Sequence, residues 1–557
     1  MPFPQAERNV NPEGSGVTFN PYGPPGARPG PPRPVAQLPP TQLSPGFANR
    51  NLPQSTLDAF ARFAAAEAAT MQPPSRKQKR KSKGRGLLKA VAVLVVLAAA
   101  GGAAYHFRDK IFPQPAASHP KAWDPRVAPM VSFVEQAREL RFEHPIYVDF
   151  LTEADFVALF DQPPSSIDTE VQQQAQQASA LYNAQTLAVG YDPLAGQQTV
   201  SSVATLGFYS PDDQRIFVRG DVLTPGVRTT LAHELTHALQ DQHFDLSLGG
   251  EDDLELRAIV EADAMRIEDK YVATMTPEEQ AAGTADNTMS AEEEAALGTV
   301  PAAIVESTYA PYELGPALLE AAVAAKGNAG ADELIASPPP EMVLLDPSLY
   351  GTAVVDEEIE VAIPDGATII EPSQRLSALQ LLFMLDAWLP WDMARGALDG
   401  WTGGGYASFQ RPDGTVCFSA VAQFASPPEP MNTAVTWWAG AAGSTAVPLM
   451  DGNRVSFTAC DRGPGAAAPP GQELSTLTSL DFEAFWVREN ITAMNDHGDV
   501  RSLAAKRLIS ICEARALASD PAVVTLLAQG SVPPEQEQLV NGVRANADAN
   551  CAVPLGI

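Results

Sequence analysis

The chain has 557 residues, enough for two or three domains and a sizeable hydrophobic core. Hydrophobic residues make up 45% of it, as in a folded protein, although the 50 prolines and the net charge of −30 are unusual. The acidity argues against nucleic acid as a partner, because phosphates would be repelled. The charge is uneven, since Lys and Arg outnumber Asp and Glu by 8 within residues 1–85.

The N-terminal part of the chain predicts a membrane anchor. Residues 1–85 form a Pro-rich, low-complexity tract that ends in a basic cluster, and we expect a disordered cytoplasmic tail. An apolar run over residues 87–105 follows, close to the roughly 20 residues that cross a bilayer. Because the basic cluster precedes this run, the positive-inside rule places the N-terminus in the cytoplasm. We therefore predict one transmembrane helix over residues 86–106.

Two alternatives to the anchor are a cleaved signal peptide and a buried core helix. A leader with about 85 residues before its apolar core is far too long for a signal peptide. The adjoining basic cluster counts against a core helix. The Pro-rich tail can bind an SH3-like cytoplasmic partner or serve as a plain spacer.

After a linker over residues 107–127, the pattern predicts a domain over residues 128–375. Strands are predicted at residues 199–208 and 215–219, on either side of a Pro-Asp-Asp turn. A helix should begin near Arg228 and a second one should cover residues 251–274. Residues 275–300, acidic and rich in Ala, are expected to form an exposed loop or lid.

The helix near Arg228 carries the pattern His-Glu-x-x-His, at His233, Glu234 and His237. Residues four apart on a helix share one face, so both imidazoles can bind a single ion. This is the pattern of the zinc-peptidase helix, in which the Glu polarises the zinc-bound water. With 7 His in the chain, two at this spacing arise by chance about 0.1 times. The alternative is two surface histidines on an ordinary amphipathic helix.

Two residues compete to be the third ligand of a catalytic zinc ion. His243 reproduces the ligand spacing of the metzincin pattern, but that pattern has a Gly where Gln240 stands. On an unbroken helix His243 lies about 120° around the axis from His237. Glu261 sits among apolar residues of the next predicted helix, where an unpaired carboxylate is costly to bury. Helix geometry favours Glu261.

Residues 205–275 resemble the gluzincin group of zinc peptidases. In that group a Glu on the following helix is the third ligand, so the resemblance implies His233, His237 and Glu261 as metal ligands. It implies Glu234 as the general base that activates the zinc-bound water. In zinc peptidases generally, the strand before the metal helix offers a free edge to an extended peptide, which here would be residues 215–219.

A looser resemblance, over residues 126–420, is to bacterial neutral zinc metallopeptidase-like proteins of the cell envelope. It rests on the segment Tyr312-Glu-Leu-Gly315 and on Pro338-Pro339. In that group the Pro-Pro is followed by a polar segment and a His-Pro. This chain has neither after Pro338-Pro339. If those residues shape the substrate pocket, activity could be weakened while zinc binding survives.

Three further residues have open roles. Tyr312 can donate a hydrogen bond to a tetrahedral oxyanion, or it can be a buried structural Tyr. Asp241, one turn after His237, can orient a ligand or be an exposed helix carboxylate. In gluzincins an Asp one turn after the Glu ligand often orients a histidine; Met265 has that position here, and Asp263 is expected to point elsewhere.

All four cysteines lie in the last third of the chain, which indicates two disulfides and an oxidising compartment. The nearest-neighbour pairing joins Cys417 to Cys460 and Cys512 to Cys551, although the sequence does not fix the connectivity. We expect residues 376–480 to form a small α+β subdomain with a hairpin at Pro412-Asp413-Gly414. Residues 481–557 are expected to be helical.

The predicted fold class is therefore α+β, a zincin-like metallopeptidase domain with a disulfide-containing C-terminal region after one transmembrane helix. The predicted function is a membrane-anchored, extracytoplasmic, Zn²⁺-dependent peptidase that acts on a protein or peptide. Two alternatives are a catalytically inactive zincin-fold envelope protein that binds or scaffolds, and a structural zinc site with His243 as a fourth ligand. An intact Glu234 argues against both, because neither needs a general base.

Overall fold

The computed structural model describes residues 119–159, 169–211, 213–220, 222–246, 253–471, 474–528 and 537–552. The predicted tail, the predicted transmembrane helix over residues 86–106 and most of the predicted linker lie outside these residues. Among the residues that the structure does describe, no helix is both long and apolar enough to cross a membrane.

The fold is mixed α+β and mostly helical, with two sheets. The first sheet has three strands: β1 (Tyr147–Leu151), β2 (Gly207–Ser210) and β3 (Arg215–Arg219). β3 lies in the middle, parallel to β1 and antiparallel to β2. The prediction that residues 215–219 offer a free edge was therefore wrong, because both sides of β3 are paired. The edge strand next to it in the hairpin is β2.

Four helices precede or join this sheet: α1 (Ala128–Arg138), α2 (Glu153–Val157), α3 (Thr169–Ala184) and α4 (Pro193–Ala204). The predicted strand over residues 199–208 was wrong in its first half, which belongs to α4. The side chain of Asp192 accepts hydrogen bonds from Leu194 N and Ala195 N at 3.0 and 3.4 Å, and Pro193 fits the first helical position. This helix-start signal outweighs the β-branched residues that follow it.

Two long helices form the centre of the molecule: α5 (Pro225–Phe244) and α6 (Leu254–Val272). Thr224 caps α5, since its Oγ1 accepts a hydrogen bond from Val227 N at 3.3 Å. Asp253 caps α6 in the same way, through Leu256 N at 2.9 Å. Nearly the whole middle of both helices is buried, which explains why neither sequence shows a clear amphipathic pattern.

Residues 275–300 contain two helices, α7 (Pro277–Asp286) and α8 (Ala291–Leu297), so the predicted loop was wrong. Each begins with a capping box, Thr276 with Glu279 and Ser290 with Glu293. The acidic residues of this region favour the N-terminal turns that carry them. α7 packs on the first turn of α5, where Asp286 accepts a hydrogen bond from Gly226 N at 3.1 Å.

Four further helices continue this half of the chain, with a short 3₁₀ turn at Pro347–Leu349: α9 (Ala302–Leu314), α10 (Pro316–Lys326), α11 (Asn328–Ala336) and α12 (Glu341–Leu345). The junction between α9 and α10 is Gly315, which presses onto α6. A Cβ atom at this position would lie 1.9 Å from the carbonyl oxygen of Ala258. The close approach therefore requires glycine.

The second sheet has six strands: β4 (Glu357–Glu358), β5 (Thr368–Arg375), β6 (Trp401–Gln410), β7 (Val416–Phe424), β8 (Leu449–Asp451) and β9 (Arg454–Cys460). The predicted hairpin joins β6 to β7. Helices α13 (Ala378–Asp386) and α15 (Glu429–Ala442) pack against this sheet, and α14 (Trp391–Gly396) contacts both of these helices.

Four helices end the described chain: α16 (Thr476–Asp496), α17 (Leu503–Ser519), α18 (Pro521–Ala528) and α19 (Glu537–Ala552). Disulfides join Cys417 to Cys460, across β7 and β9, and Cys512 to Cys551, between α17 and α19. These bonds indicate an oxidising environment outside the cytoplasm.

One large hydrophobic core connects both halves of the chain. It includes Leu181 of α3, Ile259 of α6, Trp438 of α15 and Trp486 of α16. A smaller core lies between the first sheet, α1 and α5, around Leu235. α5 therefore has the first sheet on one side and α6 on the other, which fixes its position firmly.

Candidate metal centre

Three ligand-type side chains converge between α5 and α6. His233 Nε2 and His237 Nε2 lie 3.0 Å apart, and Glu261 Oε2 lies 3.1 Å from the first and 3.2 Å from the second. All three residues are buried, and they are the group that can hold a metal ion among the residues that the structure describes. The structure thus brings Glu261, the favoured third ligand, to the two histidines of the motif.

These separations fit a tetrahedral metal ion. Ligand atoms about 2.05 Å from such an ion lie about 3.3 Å from one another. The three observed separations are close to that value, and the donor set is two imidazoles and one carboxylate. Burial of these groups with only one another as partners at their inner atoms would be costly, and a shared cation removes that cost.

The charges of the three side chains are strongly coupled. Burial by itself lowers the pKa of His233, but hydrogen bonds to Glu261 and Glu268 outweigh it and raise that pKa well above its usual range. Burial also raises the pKa of Glu261, yet the adjacent His237 and His233 hold it far below the ordinary value. These opposite shifts favour an ionised Glu261 beside a protonated imidazole, and a bound metal ion would take the place of that proton.

Glu234 lies beside the triad on the same helix and is buried. Burial raises its pKa, while His233 and His237 lower it and the net shift is upward. Its carboxylate also accepts a hydrogen bond from the backbone N–H of Tyr209 in β2. Gly207, two residues earlier on β2, faces the Glu234 side chain, since a Cβ there would lie 3.5 Å from Glu234 Cγ.

Each histidine is also held through its other ring nitrogen. His233 Nδ1 lies 3.1 Å from Glu268 Oε2, and His237 Nδ1 lies 3.0 Å from Gln240 Oε1. Both nitrogens can donate to these acceptors, which leaves the two Nε2 lone pairs directed at the ion position. The ring orientations are therefore fixed by the protein.

Gln240 is in turn held by α6. Its Nε2 donates hydrogen bonds to Asp263 Oδ2 at 2.9 Å and to the carbonyl oxygen of Val260 at 3.1 Å. Asp263 also pairs with Arg138 of α1, whose Nε lies 2.8 Å from Oδ2, and both side chains are fully buried. The expectation that Asp263 points elsewhere was thus only half right. It does not bind a histidine directly, but it reaches His237 through Gln240.

The other predicted residues divide between the site and the rest of the fold. Tyr312 joins the site, because its ring stacks on His233 at 6.5 Å between centroids and its hydroxyl bonds with Glu261. The carboxylate of Asp241 accepts hydrogen bonds from Tyr209 Oη and Leu246 N, both at 2.8 Å. His243 bonds to the carbonyl oxygen of Arg141 at 2.8 Å, away from the triad, because α5 continues unbroken to Phe244.

Sequence reasoning missed Glu268 and Arg138, and it gave Gln240 no part in holding a ligand. A signal existed for Glu268, which lies seven residues after Glu261 and hence on the same face of α6. No local signal pointed to Arg138, whose contact with Asp263 joins residues 125 positions apart.

Comparison of the chain with protein-family models, with curated proteins and with solved structures finds no match.

Proposed function

We propose that this chain is a zinc-dependent peptidase. The observation that carries the proposal is the convergence of His233 Nε2, His237 Nε2 and Glu261 Oε2 with the carboxylate of Glu234 beside them. A metal-binding site with a purely structural purpose has no use for a buried, unligated Glu next to the ion. Catalytic zinc sites use such a donor set, in which two imidazoles and a carboxylate bind the ion and a fourth position is left for water.

Zinc bound by His233, His237 and Glu261 would lower the pKa of a ligated water molecule and polarise the scissile carbonyl group. The protein supplies the proton transfers. Glu234 accepts a proton from the water and later donates it to the leaving amine. The raised pKa of the Glu234 carboxyl suits both steps, and the backbone N–H of Tyr209 is close enough to interact with the carboxylate.

Tyr312 is the candidate donor to the oxyanion that forms when water attacks the carbonyl. Burial raises the pKa of its hydroxyl well above the usual value, and the neighbouring Glu261 raises it further. The hydroxyl thus stays protonated, and the proton that it directs to Glu261 can turn to a developing negative charge.

The free edge of β2 supports a peptide as the substrate. Leu206 O accepts a hydrogen bond from Arg219 N of β3, so the peptide groups alternate along the strand and those of Gly207 and Tyr209 face the other edge. In the described part of the chain, no strand pairs with that edge. An extended peptide added there would pass directly beside Glu234.

We further propose that the chain acts outside the cytoplasm, held to the membrane by the helix predicted over residues 86–106. The two disulfides support this location. A protein or peptide substrate in the cell envelope, and a cytoplasmic partner of the Pro-rich tail, belong to the same proposal.

The test is zinc content and hydrolysis of mixed denatured proteins by the full-length chain and by its Glu234→Gln variant. We expect about one zinc ion per chain in both forms and a loss of turnover by roughly 10²–10⁴-fold in the variant. Glu278→Gln, a change of the same type at an exposed position on α7, should leave both quantities unchanged. Zinc retained without turnover in the unmodified chain would instead favour a scaffolding or binding protein, and absence of zinc would overturn the proposal.

A further inference from the structure

A cavity of about 750 Å³ lies beside the N-terminal end of α6, between α9, α12 and the start of α13. Its volume is within the range of small-molecule and side-chain binding sites, about 300–1,000 Å³. The cavity is distinct from the metal triad, because none of the three ligands lines it.

The charged residues that line the cavity are mostly acidic: Asp253, Glu255, Glu341, Asp356 and Arg375. Arg375 already contacts three of the four carboxylates. Its Nη2 is paired with Glu255, and it lies 3.2 Å from Asp356 Oδ2 and 3.6 Å from Glu341 Oε2. One cation among four carboxylates leaves an excess of negative charge, so the cavity favours a further cation over an anion.

The pKa values of the carboxyl groups are raised chiefly by burial and in part by their neighbours. Burial raises the pKa of Glu341 to about 6, and the neighbouring Glu255 contributes to the shift. Burial likewise raises the pKa values of Asp253 and Asp356, with a smaller contribution from Glu255. A cation bound among these groups would relieve their mutual repulsion.

Two buried amide oxygens in the wall point to a ligand that donates hydrogen bonds. Gln185 is 2% exposed, and its Oε1 has no hydrogen-bond partner among the described residues. Gln380 is only part-buried, but its Oε1 atom is buried and also has no partner among the described residues. Buried polar atoms in native proteins are almost always hydrogen-bonded, so two unpaired acceptors in one cavity indicate a donor that the protein itself does not supply.

The cavity shares α6 with the metal triad and α9 with Tyr312. Asp253 and Glu261 are eight residues apart on α6, which corresponds to about 12 Å along the helix. Ser307 of the cavity wall and Tyr312 of the metal site are likewise neighbours on α9. An extended peptide spans about 3.3 Å per residue, so about 12 Å corresponds to three or four residues of substrate.

We propose that the acidic cavity binds a cationic group of the peptide substrate, three or four residues from the bond that is cleaved. The group is an ammonium or guanidinium ion, carried by a Lys or Arg side chain or by the amino terminus. Its N–H groups donate to Glu255 and Asp253, beside the unpaired amide oxygen of Gln185. This inference rests on the proposed peptidase function for the placement of the bond, but not for the binding of the cation.

The experiment measures peptide binding by calorimetry to full-length chains that carry Glu234→Gln, so that hydrolysis does not interfere. Three versions of one otherwise uncharged peptide are used as probes: one with a single Lys and a blocked amino terminus, one with a free amino terminus and no Lys, and one with neither. We expect at least one cationic version to bind about tenfold or more tightly than the uncharged one, as for a charge-assisted hydrogen bond in a part-buried site.

Charge-removing variants locate the effect. Glu255→Gln should abolish the preference for the cationic peptide, whereas Glu278→Gln, with the same change of charge at an exposed position, should retain it. Asp253→Asn is a second variant, chosen because Asn caps a helix as well as Asp and α6 should stay folded. Thermal unfolding of each variant identifies any that fails to fold.

A preference for the Lys peptide assigns the cavity to a side chain, and a preference for the free amino terminus assigns it to that group; both support the inference. Equal binding of all three peptides would overturn it, as would a preference that survives both cavity variants. A chain that discriminates between the peptides but binds no zinc would overturn the proposed function alone. A zinc-dependent peptidase without discrimination would overturn the inference alone.

Discussion

The Nδ1 atom of each imidazole in the triad is hydrogen-bonded to a different kind of acceptor. Glu268 offers His233 a charged acceptor, whereas Gln240 offers His237 a neutral one. A charged acceptor makes the opposite ring nitrogen a stronger metal ligand. The site is therefore asymmetric, and His233 should contribute the firmer bond to the ion.

This asymmetry predicts the effect of Glu268→Leu. The variant removes the acceptor behind His233 but retains a similar volume, so zinc affinity should fall by about 10- to 100-fold. Competition with a chelator of known affinity measures the change. Glu268→Gln, which restores a neutral acceptor, should recover most of the loss. Equal affinities for the Leu variant and the unmodified chain would show that Glu268 has no positioning role.

For individual residues, the sequence predicted the metal ligands but not the side chains that hydrogen-bond to those ligands. His233, Glu234 and His237 form a local pattern whose chemistry is readable without a structure. Glu261 could be inferred because a mid-helix carboxylate among apolar residues needs a partner. The contact between Asp263 and Arg138 depends on how α1 crosses α6, which no local pattern encodes.

Among the helices, α1 and α6 are joined by a buried ion pair. Asp263→Asn would leave the fully buried Arg138 with only Asp332, whose oxygen lies 2.6 Å from Nη2. Because Asp332 compensates only part of this buried charge, the free energy of unfolding should fall by up to about 3–5 kcal/mol. Urea unfolding measures the difference.

An exposed pair near the end of α1 provides the comparison for this prediction. Arg141 and Glu135 form an ion pair at 2.6 Å, but the Arg141 side chain is 84% exposed. Arg141→Gln should therefore cost less than about 1 kcal/mol. If both variants lose the same stability, burial does not set the strength of the Arg138–Asp263 pair.

The helices and strands that were predicted correctly have a helix-capping or turn signal within a few residues of their ends. The hairpin between β6 and β7 follows from its Pro-Asp-Gly turn. The two wrong assignments, a strand over residues 199–208 and a loop over residues 275–300, overlooked signals of the same kind. Asp192-Pro193 starts α4, and the capping boxes at Thr276 and Ser290 start α7 and α8. The position of β3 between two strands could not be read from a local signal, because strand order depends on pairing between residues far apart in the sequence.

For the whole molecule, a buried carboxyl group joins the N-terminal half to the C-terminal helices. Glu306 of α9 accepts a hydrogen bond from Leu477 N at 3.1 Å, at the start of α16. Burial raises the pKa of Glu306 to about 8, and the nearby Asp386 contributes. In the unfolded chain this carboxyl group titrates near its ordinary value of about 4.3.

Stability should therefore depend on pH through Glu306. The folded state binds the extra proton between about pH 4 and pH 8, so this contribution to the free energy of unfolding falls as the pH rises across that window. Between pH 5 and pH 8 the loss amounts to about 3–4 kcal/mol. Glu306→Gln should abolish this part of the pH dependence, which urea unfolding at a series of pH values measures.

The control for this prediction is Glu292→Gln on the exposed surface of α8, which removes the same charge. Its unfolding free energy should follow that of the unmodified chain at every pH. An unchanged pH profile in Glu306→Gln would show that Glu306 is ionised in the folded protein at neutral pH.

The contact between Gly315 and α6 has a consequence for the evolution of this chain. Any side chain at this position would meet the carbonyl oxygen of Ala258 and the methyl group of Ala262, and would push apart the helices that surround Glu261. The restriction comes from space alone and does not depend on whether the chain cleaves anything. In a lineage that lost Glu234 and its catalytic activity, natural selection for a folded protein would still retain glycine at position 315.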